Sequence, residues 1–289
     1  MNPTYRPAAE ADIAGAVEVF LAAVADMYAR NGIAAPLPDA RAVERGYRHV
    51  LRTGIFHVAE VGGRVGAICC AVVRGRLWFL SGFWVLPELQ GRKIGGPLLK
   101  LVRDEGARHG ADTFFTWSSV DLAAMATYMK LGMLPGYQLL TFSGSVPDAG
   151  GAGGFEVEPL SVAAAADLDE RVRGARREAD HRFWLSGAET RGRQLLKGGR
   201  VVGYFYLTRG VVGPAAWEEG INADELLRAA CGETGGQAGE FRLMTPGVNH
   251  EAVRFALANG LRLVAFSHLL TSGPFGRLER YLASGPSLF

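Results

Sequence analysis

The sequence predicts an α/β protein with two tandem domains, each a mostly antiparallel sheet that has a central parallel pair of strands and flanking helices. Three observations support this class. Strand-like and helix-like apolar patterns alternate in both halves, a Gly-rich stretch separates the halves, and one segment recurs 128 residues later. At 289 residues the chain is long for one domain and comfortable for two.

In the first half, three apolar strands lead into a helix, and a further strand, helix and strand follow. Strands 56–61 and 64–73 are joined by two glycines, which is a hairpin signal. Because a helix crosses between strands 77–86 and 113–117, we expect these two strands to run parallel. The predicted elements in order are strand 4–7, helices 12–30 and 40–52, strands 56–61, 64–73 and 77–86, helix 96–109, strand 113–117, helix 121–131 and strand 137–143.

Residues 147–154 contain small, flexible residues and no core-forming side chain, which is typical of a linker. They separate a first domain, residues 1–146, from a second domain, residues 155–289. The second half follows the element order of the first, with strand 155–159, helix 163–178, strands 194–198 and 200–208, helix 223–231, strand 241–245, helix 249–258 and strand 261–270.

The internal repeat is clearest in one helical segment. At a constant offset of 128 residues, Asp121 lies over Asn249, Ala124 over Ala252 and Gly132 over Gly260. Ala256 stands where the first copy has Tyr128, and the second copy lacks the Gly-rich basic turn of the first. We therefore predict an active-looking first copy and a degenerate second copy. Two unrelated domains are the alternative.

The most informative segment is the turn between strand 77–86 and helix 96–109. It consists of Gln90, Gly91, Arg92, Lys93, Ile94, Gly95 and Gly96. Main-chain N–H groups in the first turn of a helix have no intrahelical acceptor and lie at the positive end of the helix dipole, so they bind anions. Glycines allow close approach of the backbone, and the two basic side chains add charge. The turn is therefore a candidate phosphate site, with an unliganded surface turn as the alternative.

This turn resembles the pyrophosphate loop of the GNAT N-acetyltransferases, whose pattern is Gln/Arg-x-x-Gly-x-Gly/Ala and which is opened here by Gln90. A second segment, residues 121–133, resembles the family's Asn-x-x-Ala-x-x-x-Tyr-x-Lys-x-Gly-Phe motif, and the resemblance covers residues 1–146. There are three departures: Lys93 replaces the middle glycine, Asp121 replaces Asn and Met133 replaces Phe. If residue 93 takes a positive φ, Lys costs about 1 kcal/mol more than Gly there.

The resemblance implies transfer of an acetyl group from acetyl-CoA to an amine, here the primary amine of an unidentified acceptor. It implies that strand 77–86 splays from strand 113–117 and leaves main-chain groups free to pair with the pantetheine arm. It also implies that Tyr128 protonates the departing thiolate and that amides near Phe83 and Trp84 stabilise the oxyanion. The implied coenzyme-binding residues are Phe83, Trp84, Val85, Gln90, Gly91, Arg92, Lys93, Ile94, Gly95, Gly96 and Asp121.

Four apolar or aromatic residues are candidates for the wall of an acceptor pocket, although core packing is the simpler interpretation of each. They are Met27, Tyr28, Trp84 and Trp117. Strand 77–86 contains no Asp, Glu or His, so the sequence indicates no general base. A small molecule and a peptide both remain possible acceptors.

Composition excludes several other classes of protein. A net charge of +2 gives no electrostatic footprint for nucleic acid or a membrane surface. The six histidines have no metal-ligand spacing, so we expect no metal. Three sparse cysteines indicate a reducing cytoplasm rather than a disulfide framework. We expect a monomer, in which the two copies form an internal pseudo-dimer, or a homodimer.

Two further interpretations concern charge and activity. Basic residues cluster within 171–182, and interleaved carboxylates favour a solvated helix face there over an anion-binding patch. The departures at Lys93 and Asp121, together with the missing base, motivate a competing hypothesis: a non-catalytic module that binds acyl-CoA.

Overall fold

The computed structural model describes residues 2–145, 154–234, 240–285 and 287–289. Contacts divide the chain into two compact units. Unit 1 contains Met1–Leu134, Leu270–Gly273 and Leu288, and unit 2 contains Pro135–Leu269, Pro274–Ser287 and Phe289.

Unit 1 contains five strands and four helices in the described residues. They are β1 (Thr4–Pro7), α1 (Ile13–Arg30), α2 (Ala40–Thr53), β2 (Ile55–Val61), β3 (Arg64–Arg74), β4 (Leu77–Val85), α3 (Gly95–Arg108), β5 (Thr113–Ser118) and α4 (Leu122–Lys130). The strand order is β1-β2-β3-β4-β5. Neighbouring strands are antiparallel except for β4 and β5, which pair in parallel as the α3 crossover requires.

Unit 2 contains the remaining strands and α-helices of the described chain, apart from Leu134 of β6 and the last two residues of β12. They are β6 (Leu134–Ser145), β7 (Glu156–Pro159), α5 (Val162–Arg173), α6 (Glu178–Leu185), β8 (Thr190–Lys197), β9 (Arg200–Thr208), β10 (Val211–Trp217), α7 (Ala223–Gly232), β11 (Glu240–Pro246), α8 (His250–Ala258), β12 (Arg262–Thr271) and β13 (Tyr281–Leu282). The strand order is β12-β6-β11-β10-β9-β8-β7, and β13 pairs with β10. Strands β10 and β11 pair in parallel.

The mixed sheets and flanking helices confirm the predicted fold class, and the order of elements repeats from one half to the other. The helix caps repeat as well. Asp121 caps α4 by accepting from the Ala124 N–H at 3.0 Å, and Asn249 caps α8 by accepting from the Ala252 N–H at 3.1 Å. Residues 128 positions apart in the sequence therefore have the same structural role, that of a helix N-cap, in the two copies.

The unit boundary lies at Leu134, and β6 pairs with β11. The end of β12 belongs to unit 1, where Ser272 exchanges hydrogen bonds of 2.8 and 2.9 Å with the main chain of Phe114. Most of the proposed linker, residues 147–153, lies outside the described residues. The domain limits 1–146 and 155–289 stay a prediction.

Two sequence expectations for the second half were wrong. The predicted helix 163–178 is divided, because Gly174 adopts φ 88° and ends α5. The basic cluster is not wholly solvated: Arg173 and Arg177 are each 1% exposed. A buried carboxylate, Asp169, accounts for Arg177, since the two side chains form an ion pair.

Candidate functional site

The first feature of the candidate site is the separation of β4 from β5. Parallel pairing runs from Leu77 with Thr113 to Phe79 with Phe115, and the Thr116 hydroxyl donates to the Leu80 carbonyl at 3.2 Å. Beyond this point both strands continue, β4 to Val85 and β5 to Ser118. The splay implied by the resemblance is therefore present.

The opposite edge of β4 stays paired with β3 as far as Val85. Ser81 is the extra residue of a β-bulge, because Gly82 pairs with Cys70 while Leu80 pairs with Ala71. The bulge redirects β4 where it leaves β5. Residues 83–85 then lead into the turn with one edge of their main chain turned to the splay.

The turn itself has the backbone geometry that its glycine pattern predicts. Gly91 has φ 74° and Lys93 has φ 60°, so Lys93 occupies a left-handed conformation in which glycine is favoured. The replacement of the family's middle glycine by Lys93 therefore has a cost in conformational energy. The side chains of Arg92 and Lys93 are exposed.

Helix α3 begins at Gly95 without a capping side chain among the described residues. The amides of Gly95 and Gly96 belong to its first turn, where no intrahelical acceptor exists, and Pro97 has no N–H. A Cβ atom at Gly95 would lie 2.7 Å from the Phe83 ring, whereas one at Gly96 would meet no heavy atom of the described chain within 4 Å apart from its chain neighbours and the backbone of its own helix. Gly95 therefore permits close packing on β4, and Gly96 borders open space.

Two side chains hold the turn in place. The Tyr5 hydroxyl donates to the Ile94 carbonyl at 3.1 Å, and Gln90 Nε2 donates to the Val85 carbonyl at 3.2 Å. Gln90 therefore closes the turn onto the end of β4. The role of Tyr5 was missed by sequence reasoning because 89 residues separate it from Ile94.

Tyr128 lies on the same side of β4 as Phe83. It is 6% exposed, and the two rings meet edge to face with centroids 6.1 Å apart. Burial raises the pKa of Tyr128, with smaller contributions from Cys69 and Asp121. The hydroxyl is therefore kept protonated at neutral pH, which is the state a proton donor needs.

Asp121 has clear structural partners. One carboxylate oxygen accepts from the Ala124 N–H, and the other lies 3.1 Å from Arg30 Nη2. Burial acts to raise the pKa of Asp121, but these hydrogen bonds and the Arg30 charge outweigh it and lower the pKa. The ion pair between Arg30 and Asp121 joins α1 to α4. The sequence analysis did not predict it, because nothing in the local sequence indicates that the two residues meet.

The predicted acceptor residues divide into two groups. Met27 and Trp117 are buried in the core, at 7% and 5% exposure, whereas Tyr28 and Trp84 are half-buried. Trp84 lies on the opposite side of β4 from Phe83, where its ring meets that of Phe20 edge to face at 5.0 Å. Trp84 and Tyr28 keep surface that a ligand can contact.

The described residues contain no group of three or more His, Cys, Asp or Glu side chains arranged to hold a metal ion. Within the same residues, no helix has both the length and the apolar character needed to cross a bilayer. The three cysteines are buried free thiols.

Comparison with known proteins follows this geometry. Residues 21–133 match the model of the acetyltransferase (GNAT) family, which supports the resemblance found in the sequence. No curated protein is significantly similar to the chain.

Solved structures share the fold over nearly the whole chain. An inferred acetyltransferase from Pyrococcus horikoshii has a TM-score of 0.79 and 17% identity, over 99% of this chain and 96% of that one. A tandem GNAT protein from the clavulanic acid biosynthesis pathway has a TM-score of 0.61 and 15% identity, over 94% and 99%. A GCN5-related N-acetyltransferase from Sphaerobacter thermophilus has a TM-score of 0.61 and 15% identity, over 96% and 98%. At these identities the likeness concerns the fold.

Proposed function

We propose that the protein is an N-acetyltransferase that moves an acetyl group from acetyl-CoA to the primary amine of an acceptor. One observation carries the proposal: the β4 edge that leaves β5 after Phe79 leads directly into an uncapped helix N-terminus at Gly95. An unpaired strand edge suits the amide-rich arm of the coenzyme, and a helix N-terminus suits its diphosphate. Binding sites for the two parts of one ligand thus lie close together in the chain, at residues 83–85 and 91–96.

In this proposal the main-chain amides of the turn bind the diphosphate, and Arg92 and Lys93 add charge from its exposed side. Gln90 acts by holding the turn against Val85. Residues 83–85 bind the pantetheine arm through their main chain. Asp121 is the remaining coenzyme-binding residue of the proposal. It caps α4 on the other side of the splay.

Chemistry follows from these positions. The acceptor nitrogen attacks the thioester carbonyl carbon, and an amide N–H near Phe83 or Trp84 stabilises the charge on the oxygen, an effect typically worth about 3 kcal/mol. As the C–S bond breaks, the thiolate takes the proton of the Tyr128 hydroxyl. A phenol is a weaker acid than a thiol, and burial raises the pKa of Tyr128 further, so this proton transfer is uphill and is completed when the Tyr128 phenolate regains a proton through water from the acceptor nitrogen. The amine proton leaves through water, since β4 carries no side-chain base.

The acceptor is a small-molecule or peptide amine. Trp84 and Phe20 supply an aromatic surface on the side of β4 away from Tyr128, which supports an acceptor with an apolar portion beside its amine. Nucleic acid and membrane partners have no support in the net charge of +2. Location in the cytoplasm is part of the proposal, supported by the three free thiols.

The competing function is a non-catalytic module that binds acyl-CoA. It is favoured by Asp121, whose two oxygens already have partners, and by the left-handed backbone at Lys93. An assay of thiol release from acetyl-CoA with a panel of primary amines separates the two functions. We expect CoA release that depends on an added amine and that Tyr128→Phe reduces. Tight coenzyme binding without release for any amine would favour the competing function.

A further inference from the structure

The second copy has its own splay, and part of the same chain lies in it. Strands β10 and β11 pair in parallel at Val211 with Arg242 and at Val212 with Leu243. Farther along, β13 pairs with β10 in the antiparallel sense, Ala215 with Leu282 and Ala216 with Tyr281. The Ala283 N–H donates to the Met244 carbonyl of β11 at 2.9 Å. Residues 281–283 therefore bond to both strands where the two part.

The helix that follows β11 also contacts this segment. Asn249 caps α8 through its side-chain oxygen, and its Nδ2 donates to the Tyr281 carbonyl at 3.1 Å. Asn249 is the counterpart of Asp121 at the offset of 128 residues. The N-cap side chain after the parallel strand thus binds a carbonyl of an extended chain lying in the splay.

The segment fills its place closely. Tyr281, Leu282 and Ala283 are each 0% exposed. A Cβ atom at Gly213 would lie 2.2 Å from the Ala283 carbonyl oxygen, so the segment rests directly on the bare backbone of β10. A second extended ligand has no room there while residues 281–283 stay in place.

Buried arginines hold the surrounding segment. The Arg177 guanidinium lies 5.3 Å from the centre of the Tyr281 ring, and Arg173 Nη2 donates to the Phe289 carbonyl at 2.6 Å. The Phe289 ring in turn packs on Tyr281 with centroids 4.8 Å apart. This explains why two arginines of the basic cluster are buried: they help to fix the segment that carries β13.

We propose that residues 281–283 are a built-in ligand of the second copy, in the place where the pantetheine arm lies between β4 and β5 of the first. The comparison with the arm rests on the proposed function of unit 1. Both occupants are extended and present alternating amide N–H and C=O groups, which a splayed pair of strands can bind. The second copy is thereby closed to the coenzyme by its own chain, in addition to lacking the basic turn.

Hydrogen exchange on the full chain, with and without saturating acetyl-CoA, tests the proposal. We expect the Ala283 amide to exchange at least about 100-fold more slowly than in an unstructured peptide, with or without the coenzyme. Unprotected exchange, or protection that is lost when acetyl-CoA binds, would overturn it. Protection gained at residues 83–85 and 91–96 reports separately on the proposed function, so the two ideas fail independently.

A matched pair of variants locates the effect. Asn249→Asp keeps the cap oxygen but removes the donor to Tyr281, and we expect exchange at Ala283 to accelerate about tenfold because a buried carbonyl loses its partner. Asn259→Asp is the control, since Asn259 Nδ2 also donates to a main-chain carbonyl, that of Phe255 at 2.8 Å, away from the segment. Equal acceleration in both variants, or none in Asn249→Asp, would contradict the proposed contact.

Discussion

At the scale of single residues, the site depends on three side chains whose surroundings differ from those of ordinary surface residues. Tyr128 is buried against Phe83 and keeps its proton. Lys93 adopts a positive φ of 60°. The family has an Asn at the position of Asp121, and an Asn side chain can donate hydrogen bonds. Asp121 cannot donate and forms an ion pair with Arg30 instead. In the proposed function, Tyr128 takes part in the chemistry, and Lys93 and Asp121 affect coenzyme affinity.

We expect Tyr128→Phe to lower kcat about 100-fold, the lower range for loss of a general acid, with KM for acetyl-CoA within about twofold of the original. Because burial raises the pKa of Tyr128, the hydroxyl stays protonated as pH rises, so kcat of the unmodified protein should not fall between about pH 8 and 10. Steady-state kinetics across this range provide the measurement. An unchanged kcat in the variant would remove Tyr128 from the mechanism.

At the scale of elements, the site is the junction of β4, the turn and α3. Gly95 allows α3 to pack on Phe83, whereas Gly96 borders open space in the first turn. Because the Cα–Cβ bond of a helical residue tilts toward the helix N-terminus, a methyl group at residue 96 would enter the space that we propose for the coenzyme diphosphate. Stability and coenzyme affinity are therefore separable at adjacent residues.

Gly96→Ala should keep the fold and weaken acetyl-CoA binding at least about tenfold, or about 1.4 kcal/mol. The control is Gly46→Ala in α2, where a Cβ atom also meets no heavy atom of the described chain within 4 Å. That change should raise stability by up to about 1 kcal/mol through helix propensity and leave affinity unaltered. Calorimetric affinity and thermal unfolding measure both effects. Equal affinity in all three proteins would place the diphosphate elsewhere.

Elements of unit 1 were predictable because their signals are local. Nearly continuous apolar runs define β2 to β4, and the glycine pattern defines the turn. In unit 2 the signals compete with one another. Strand β10 was missed because Pro214 interrupts its apolar run, and the helix break was missed because Gly174 lies among good helix formers.

Long-range partnerships could not be read from the sequence. The pairing of β6 with β11 joins segments about a hundred residues apart. The apolar pattern of β6 does not specify which strand it pairs with. The buried state of Arg177 likewise depends on Asp169, Tyr204 and His181 meeting in space. Local charge pattern favours a solvated face, and tertiary packing overrides it.

At the scale of the whole molecule, one copy offers an open splay and the other a filled one. The filled copy is supported by the buried network around Asp169, which accepts from the Tyr204 hydroxyl at 2.5 Å and lies 2.9 Å from His181 Nε2. Burial acts to raise the pKa of Asp169, but the Arg177 charge and the hydrogen bonds outweigh it and hold the pKa at about 2.

This network should make unit 2 sensitive to acid. A carboxylate whose folded pKa is depressed contributes stability above its unfolded pKa, about 4, and loses that contribution as pH falls toward the folded value of about 2. We therefore expect protection of unit 2 amides to fall across this interval. Hydrogen exchange at a series of pH values measures it.

Asp169→Asn should flatten that acid dependence and, by leaving Arg177 unpaired in the core, cost about 3–5 kcal/mol at neutral pH. Asp167→Asn, two residues away on α5, is the control, because its ion pair with Arg176 is exposed and contributes little to stability. An acid profile of the unmodified protein that is flat between pH 4 and 2 would contradict the role given to Asp169.

The central claim is that one copy of this chain binds the coenzyme, through the main-chain amides between Gln90 and Gly96. Isothermal titration of the full chain with acetyl-CoA tests it most directly. We expect one coenzyme molecule to bind per chain. Binding of two molecules per chain would contradict the closed second copy. The absence of any binding would contradict the phosphate site itself.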